Sequence, residues 1–144
     1  SFSREKEVDF RQIPICIEAN SEENLEKIRQ LALQISASVH KISSEQRRIS
    51  HVAAVFANNF SNFMLSKASE ICEKHQIPFD ILKPLIEETF EKIKKVAPKK
   101  AQTGPARRND KKTMAAHLAY LDQDQQKLYK TISEAILKSY GKEL

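Results

Sequence analysis

The chain has 144 residues, 40% hydrophobic and 30% charged, with a formal net charge of +5. That length holds one domain with its own core and is too short for two full ones. No run approaches the roughly 20 apolar residues of a membrane span, and Ser1 to Glu7 lack the apolar core of a signal peptide, so a cytoplasmic chain without a membrane anchor is expected. The missing initial Met and the unpatterned opening lead to the expectation that further sequence precedes Ser1.

Gly104 and Gly141 are the only glycines. A G-x-G-x-x-G dinucleotide fingerprint needs three at a strand-to-helix turn and a P-loop needs two before a Lys, so residues 1–144 contain neither. Scarce glycine also favours long helices over a turn-rich sheet. Cys16 and Cys72 show no C-x-x-C spacing, so disulfides and zinc are both poorly supported, and two buried or idle thiols in a reducing compartment are expected.

In chain order, Ile13 to Ile17 is rich in β-branched residues and reads as a strand. Asn20 or Ser21 caps a helix with Glu22 and Glu23 in its first turn and Leu25, Ile28, Leu31, Ala32 and Ile35 at helical spacing, ending near Ser36. Ser38 to Ile42 alternates as a second strand. One β-α-β unit cannot cover both faces of its strands, so it needs partners outside the chain or from a second copy.

Ser43-Ser44-Glu45-Gln46 then opens the longest helix, which runs to about His75. At about 100° per residue, Ile49, Val52, Ala53, Phe56, Phe60, Phe63, Lys67 and Ile71 fall on one side, expected to pack inward. Ser50, Ala54, Ala57 and Ser61 form a stripe of small residues that another helix could approach closely, while His51, Asn58 and Asn62 form a polar one. A helix from Phe79 to about Val96 follows, bent or tightened by Pro84. Pro98 to Asn109 reads as an irregular basic connection. Asp110 caps a further helix, Asp122 or Asp124 caps the last, and Gly141 stops it near Tyr140.

Two groups of residues bear on chemistry. Lys94, Lys95, Lys99, Lys100, Arg107, Arg108, Lys111 and Lys112 share a stretch whose only acid is Asp110. It suits an anion, whether dinucleotide phosphate, acidic substrate or nucleic acid, and nucleic acid is disfavoured because no aromatic residue interleaves with the charges. A solvated loop accounts for the charges equally well. Within it, Thr103 and Gly104 in a Gly-Pro turn, with Arg107 and Arg108 beyond, form a candidate cofactor- or anion-binding loop. The alternative is that an Arg pairs with Asp110 or a helix glutamate and only holds the loop in shape. The second group, His51, Asn58 and Asn62, offers donors and acceptors for a substrate carbonyl or hydroxyl and is the candidate catalytic set, with a solvated helix face as the rival. His40, His75 and His117 lack metal-ligand spacing, and no metal site is expected.

Ser44-Glu45-Gln46-Arg47, His51-Val52-Ala53-Ala54-Val55-Phe56-Ala57-Asn58-Asn59-Phe60, Ile77-Pro78-Phe79-Asp80 and Ala101 to Asp110 together resemble a family of NADP oxidoreductases that joins a Rossmann-like domain to a helical carboxy-terminal domain of unknown function. The likeness extends to the all-helical second domains of the 6-phosphogluconate and 3-hydroxyisobutyrate dehydrogenases. It implies a helical bundle of about four to five helices over residues 44–144, preceded at 1–43 by the β-α-β tail of a nucleotide-binding domain. It also implies that NADP is held mainly by that other domain, while this one supplies a wall of the substrate cleft and a homodimer contact, inactive alone. Those dehydrogenases carry a catalytic Lys one turn before an Asn, and here Val55 stands in its place, leaving His51 as a substitute. Two readings from other classes remain: a non-enzymatic dimerising or scaffold domain whose basic loop recruits an acidic partner, and a nucleic-acid-binding helical module.

Overall fold

The computed structural model describes residues 8–141. Residues 1–7, the stretch read for a signal peptide, and 142–144 lie outside the described residues. The chain forms two compact units, Ser1–Ser61 and Asn62–Leu144. The sequence boundary after residue 43 separates the β-α-β segment from the later helices, whereas the compact units part later, within a helical run.

The first unit opens with a 3-10 turn, Phe10–Gln12, and β1, Ile15–Ile17. Helix α1, Glu22–Ile35, follows, capped by the Ser21 hydroxyl, which accepts from the Asn24 N–H, with Glu22 and Glu23 favourably placed at the positive end of the helix dipole. β2, Val39–Lys41, pairs parallel to β1, with Ile15 opposite Val39 and Ile17 opposite Lys41. Alternation along β1 turns Ile17 inward against Leu25 and Ala32, and Ile15, Ala19 and Val39 pack around this small core. Ser36, 2% exposed, closes the α1-to-β2 turn: its hydroxyl donates to the Ile13 carbonyl at 2.5 Å and accepts from the Ser38 N–H at 3.0 Å.

Helix α2, Ser44–Ala54, begins in a capping box between Ser43 and Gln46. Glu18, just past β1, ties it to the sheet by accepting from the Ser44 N–H at 3.0 Å, the Ser44 hydroxyl at 2.7 Å and the Arg47 guanidinium. These donors, the Ser44 hydroxyl foremost, hold the Glu18 carboxyl below its ordinary value of 4.5. A π-helical turn, Val55–Phe60, then leads into α3, Ser61–Lys74.

One expectation fails here. The stripe read as an inward face lies outside: Ile49 is 62% exposed, Val52 57% and Phe56 66%, and α2 has no buried residue. An amphipathic period reports that one face needs cover without saying which chain supplies it. Both thiols are free, Cys72 buried and Cys16 exposed.

In the second unit the chain leaves α3 through Gln76, whose φ of 55° is left-handed, and the Ile77 N–H closes the cap onto the Cys72 carbonyl at 2.8 Å. The single helix expected from Phe79 divides into a 3-10 turn, Phe79–Leu82, and α4, Lys83–Lys95, because Pro84 has no N–H to give and is tolerated only in a first turn. Ile81, Leu85 and Phe90 along this segment are also exposed. The connection expected to be irregular contains one helical turn, α5, Pro98–Ala101. Asp110 caps α6, Lys111–Leu118, and Asp122 caps α7, Gln123–Tyr140, in a capping box with Gln125. Gly141 ends α7 at φ −68°, so its role is space: a Cβ there would stand 2.6 Å from the Leu137 carbonyl oxygen. The mainly helical class with a short parallel β-α-β opening is as the sequence indicates. Among the described residues no helix is long and apolar enough to cross a membrane.

Candidate functional site

His51 and Asn58 are exposed residues of the first unit. Their seven-residue spacing stacks them on one face only at α-helical pitch. The wider turn that starts at Val55 rotates Asn58 off the His51 stripe by up to roughly 100°, one residue's worth of helix. Such turns are often found at functional positions, and this one holds Val55, Asn58 and Asn59, while Phe56 and Phe60 meet edge to face at 4.9 Å. His51 itself lines a shallow depression of about 440 Å3 with Ser44, Arg47 and Arg48. Asn62 opens the second unit and is exposed.

The second unit contains a larger cavity, about 690 Å3, between α3, α6, α7 and the Thr103–Ala106 loop. The loop reaches it through two backbone devices. Gly104 has φ 105°, a conformation that L side chains rarely adopt, and Asn109 at φ 53° turns the chain so that the Asp110 N–H donates to the Pro105 carbonyl at 2.9 Å. Ala106 is buried beneath the turn. Thr103 and Gly104 therefore line the cavity, whereas Arg107 and Arg108 do not.

Arg107 is half-buried, donates to the Gln102 carbonyl and lies 5.6 Å over the Tyr140 ring, so it braces the loop, although through a carbonyl and an aromatic face and not the carboxylate considered above. Arg108 is exposed. Asp110 accepts from the Thr113 N–H at 3.0 Å and from its hydroxyl at 2.7 Å. These two bonds, with Arg108 and His117 adding positive charge, lower its pKa below the ordinary 3.8. Of the basic stretch, Lys94 is paired with Glu91.

Sequence reasoning missed the polar groups that the cavity gathers. The His117 Nδ1 and the Tyr129 hydroxyl share a hydrogen bond of 2.9 Å, and His75 Nε2 donates to the Tyr120 carbonyl at 3.2 Å. His117 was visible as a histidine, but its partner lies twelve residues away across the α6-to-α7 turn, beyond any short-range spacing rule. Among the described residues no group of three metal-ligating side chains comes together.

Residues 13–136 match the model of a domain of unknown function, DUF2520. The chain belongs to that family. It is also similar to a crystal structure of a candidate NADP oxidoreductase from Bacteroides fragilis, with 43% identity and a TM-score of 0.84 over 96% of this chain and 54% of that one. A Thermotoga maritima protein of known structure shares the fold at 23% identity and a TM-score of 0.76, over 93% of this chain and 56% of its own. The chain thus spans about half the length of each. No curated protein matches it.

Proposed function

We propose that this chain is the substrate-side and dimerisation domain of an NAD(P)-dependent oxidoreductase, and that it works with NADP. The observation that carries the reading is the 43% identity across nearly the whole chain to a candidate NADP oxidoreductase of which it accounts for 54%. The exposed Ile49 and Val52 on α2 and Phe56 in the π-helical turn support a partner surface, because apolar side chains in such a row are stabilised by being covered.

The residues present do not suit binding of the whole dinucleotide. The chain has no glycine-rich turn, Arg47 is held by Glu18, and Arg107 braces its own loop. NADP is therefore held mainly by a nucleotide-binding domain outside residues 1–144, and when bound it would carry the hydride, donating it as NADPH or accepting it as NADP+. The exposed Arg108 is left to add at most a phosphate contact.

With Val55 where the dehydrogenases resembled have a Lys, proton transfer falls to His51. Screening carbonyl and alcohol substrates against NADPH and NADP in the full-length protein tests the reading. His51→Ala should lower turnover by about 10²-fold or more. An unchanged rate would remove His51 from the chemistry, and no turnover with any carbonyl or alcohol would count against the oxidoreductase reading itself.

A further inference from the structure

We infer that the cavity of the second unit binds a neutral, largely apolar small molecule bearing one hydroxyl or carbonyl group, read by the His117–Tyr129 pair. This goes beyond the oxidoreductase reading, since it stands or falls on binding without nucleotide. At about 690 Å3 the cavity lies within the roughly 300–1,000 Å3 of small-molecule sites. Its walls are mostly aliphatic: Met64 and Ile71 from α3 face Leu128, Ile132 and Ile136 from α7. They match a hydrocarbon body and make no directional demand on it.

Charge narrows the ligand further. Among the described residues lining the cavity, Lys67 is the only one with a permanent charge, and its ammonium is committed to both carboxylate oxygens of Glu70 at 2.8 and 2.9 Å. A carboxylate or phosphate ligand would lose its hydration with no unpaired cation to replace it. His75 is likewise committed to the Tyr120 carbonyl. The His117–Tyr129 bond differs because it runs in either direction. With the proton on His117 Nδ1, the Tyr129 hydroxyl is left to donate to a carbonyl. With Nδ1 unprotonated, it accepts from Tyr129, whose oxygen then accepts from a ligand hydroxyl. One pair thus reads both members of a carbonyl and alcohol couple. Tyr129 is half-buried and His117 exposed, which puts this polar end where the cavity meets solvent.

The test is titration of the isotope-labelled full chain with 2-octanone, 2-octanol and octanoate, without nucleotide, following backbone amide shifts in α3 and α7. The ketone and the alcohol should bind with affinities within about 3-fold of each other, and octanoate at least about 10-fold more weakly. Tyr129→Phe should weaken the first two by about 5–10-fold, the loss of one hydrogen bond. Ala68→Leu, which fills space at the α3 wall, should remove binding while helical circular dichroism is unchanged. Equal or tighter binding of octanoate, Tyr129→Phe affinities equal to wild type, or shifts confined to other surfaces would overturn the proposal. So would binding that weakens as rising protein concentration drives self-association, because the cavity would then belong to a second copy.

Discussion

Apolar residues at helical spacing meet different fates on the helical run of the first unit and on the facing pair α3 and α7 of the second. Ile49 and Val52 on α2 and Phe56 in the π-helical turn stand in solvent, while in the second unit Ile71 on α3 and Ile132 and Ile136 on α7 line a shared cavity. The sequence patterns are alike, and the difference is whether another helix faces the stripe. In the second unit α3 and α7 provide that face for each other. In the first, the β-α-β segment holds only the start of α2, through Glu18. Hydrophobic periodicity therefore identifies surfaces that need covering, and a bare stripe is evidence for a partner when nothing in its own unit covers it.

That contrast is broken or sharpened by substitution. The largest effect is expected at Phe56→Glu: if the α2 stripe is a homodimer contact, a charge there should weaken self-association by about 30-fold or more, read by sedimentation equilibrium, with little change in thermal midpoint. A lowered midpoint with unchanged association would mean that the stripe packs within its own chain. Gly104→Ala should do the reverse. Nothing lies within 4 Å of the added methyl, so the cost is the strain of φ 105° alone, about 1–2 kcal/mol of stability, seen in denaturant unfolding with self-association intact.

The smallest effect is one of pH. Because the folded Glu18 pKa is depressed, its contribution is fully present above the ordinary value of 4.5 and fades as pH falls through the lower folded value. Glu18→Gln should thus be less stable than wild type at neutral pH, and the gap should close below pH 4.5. A gap that stays constant to pH 3 would deny Glu18 its ionised role.

Local features were largely legible in the sequence. Ser21, Asp110 and Asp122 cap the helices they were expected to cap, and the β-α-β opening and Gly-Pro turn stand where composition placed them. These depend on contacts within four residues. The π-helical turn was not legible, since Val55 to Phe60 reads as ordinary helix by periodicity, and the turn shifts the phase that stacked Asn58 on His51. Nor was the division of labour between the arginines, because Arg107 is engaged by Tyr140, thirty-three residues on. The loop residues Thr103 and Gly104 border a mostly apolar space, whose polar pair, His117 and Tyr129, is assembled only by the α6-to-α7 turn.

The central claim, that these residues are the substrate half of an NADP-dependent enzyme, is met most directly by NADPH titration of the full-length protein and of residues 1–144 side by side, followed by nucleotide fluorescence. The account predicts saturable micromolar binding by the full-length protein and none by residues 1–144. Tight NADPH binding by residues 1–144 alone, or none by the full-length protein, would contradict it.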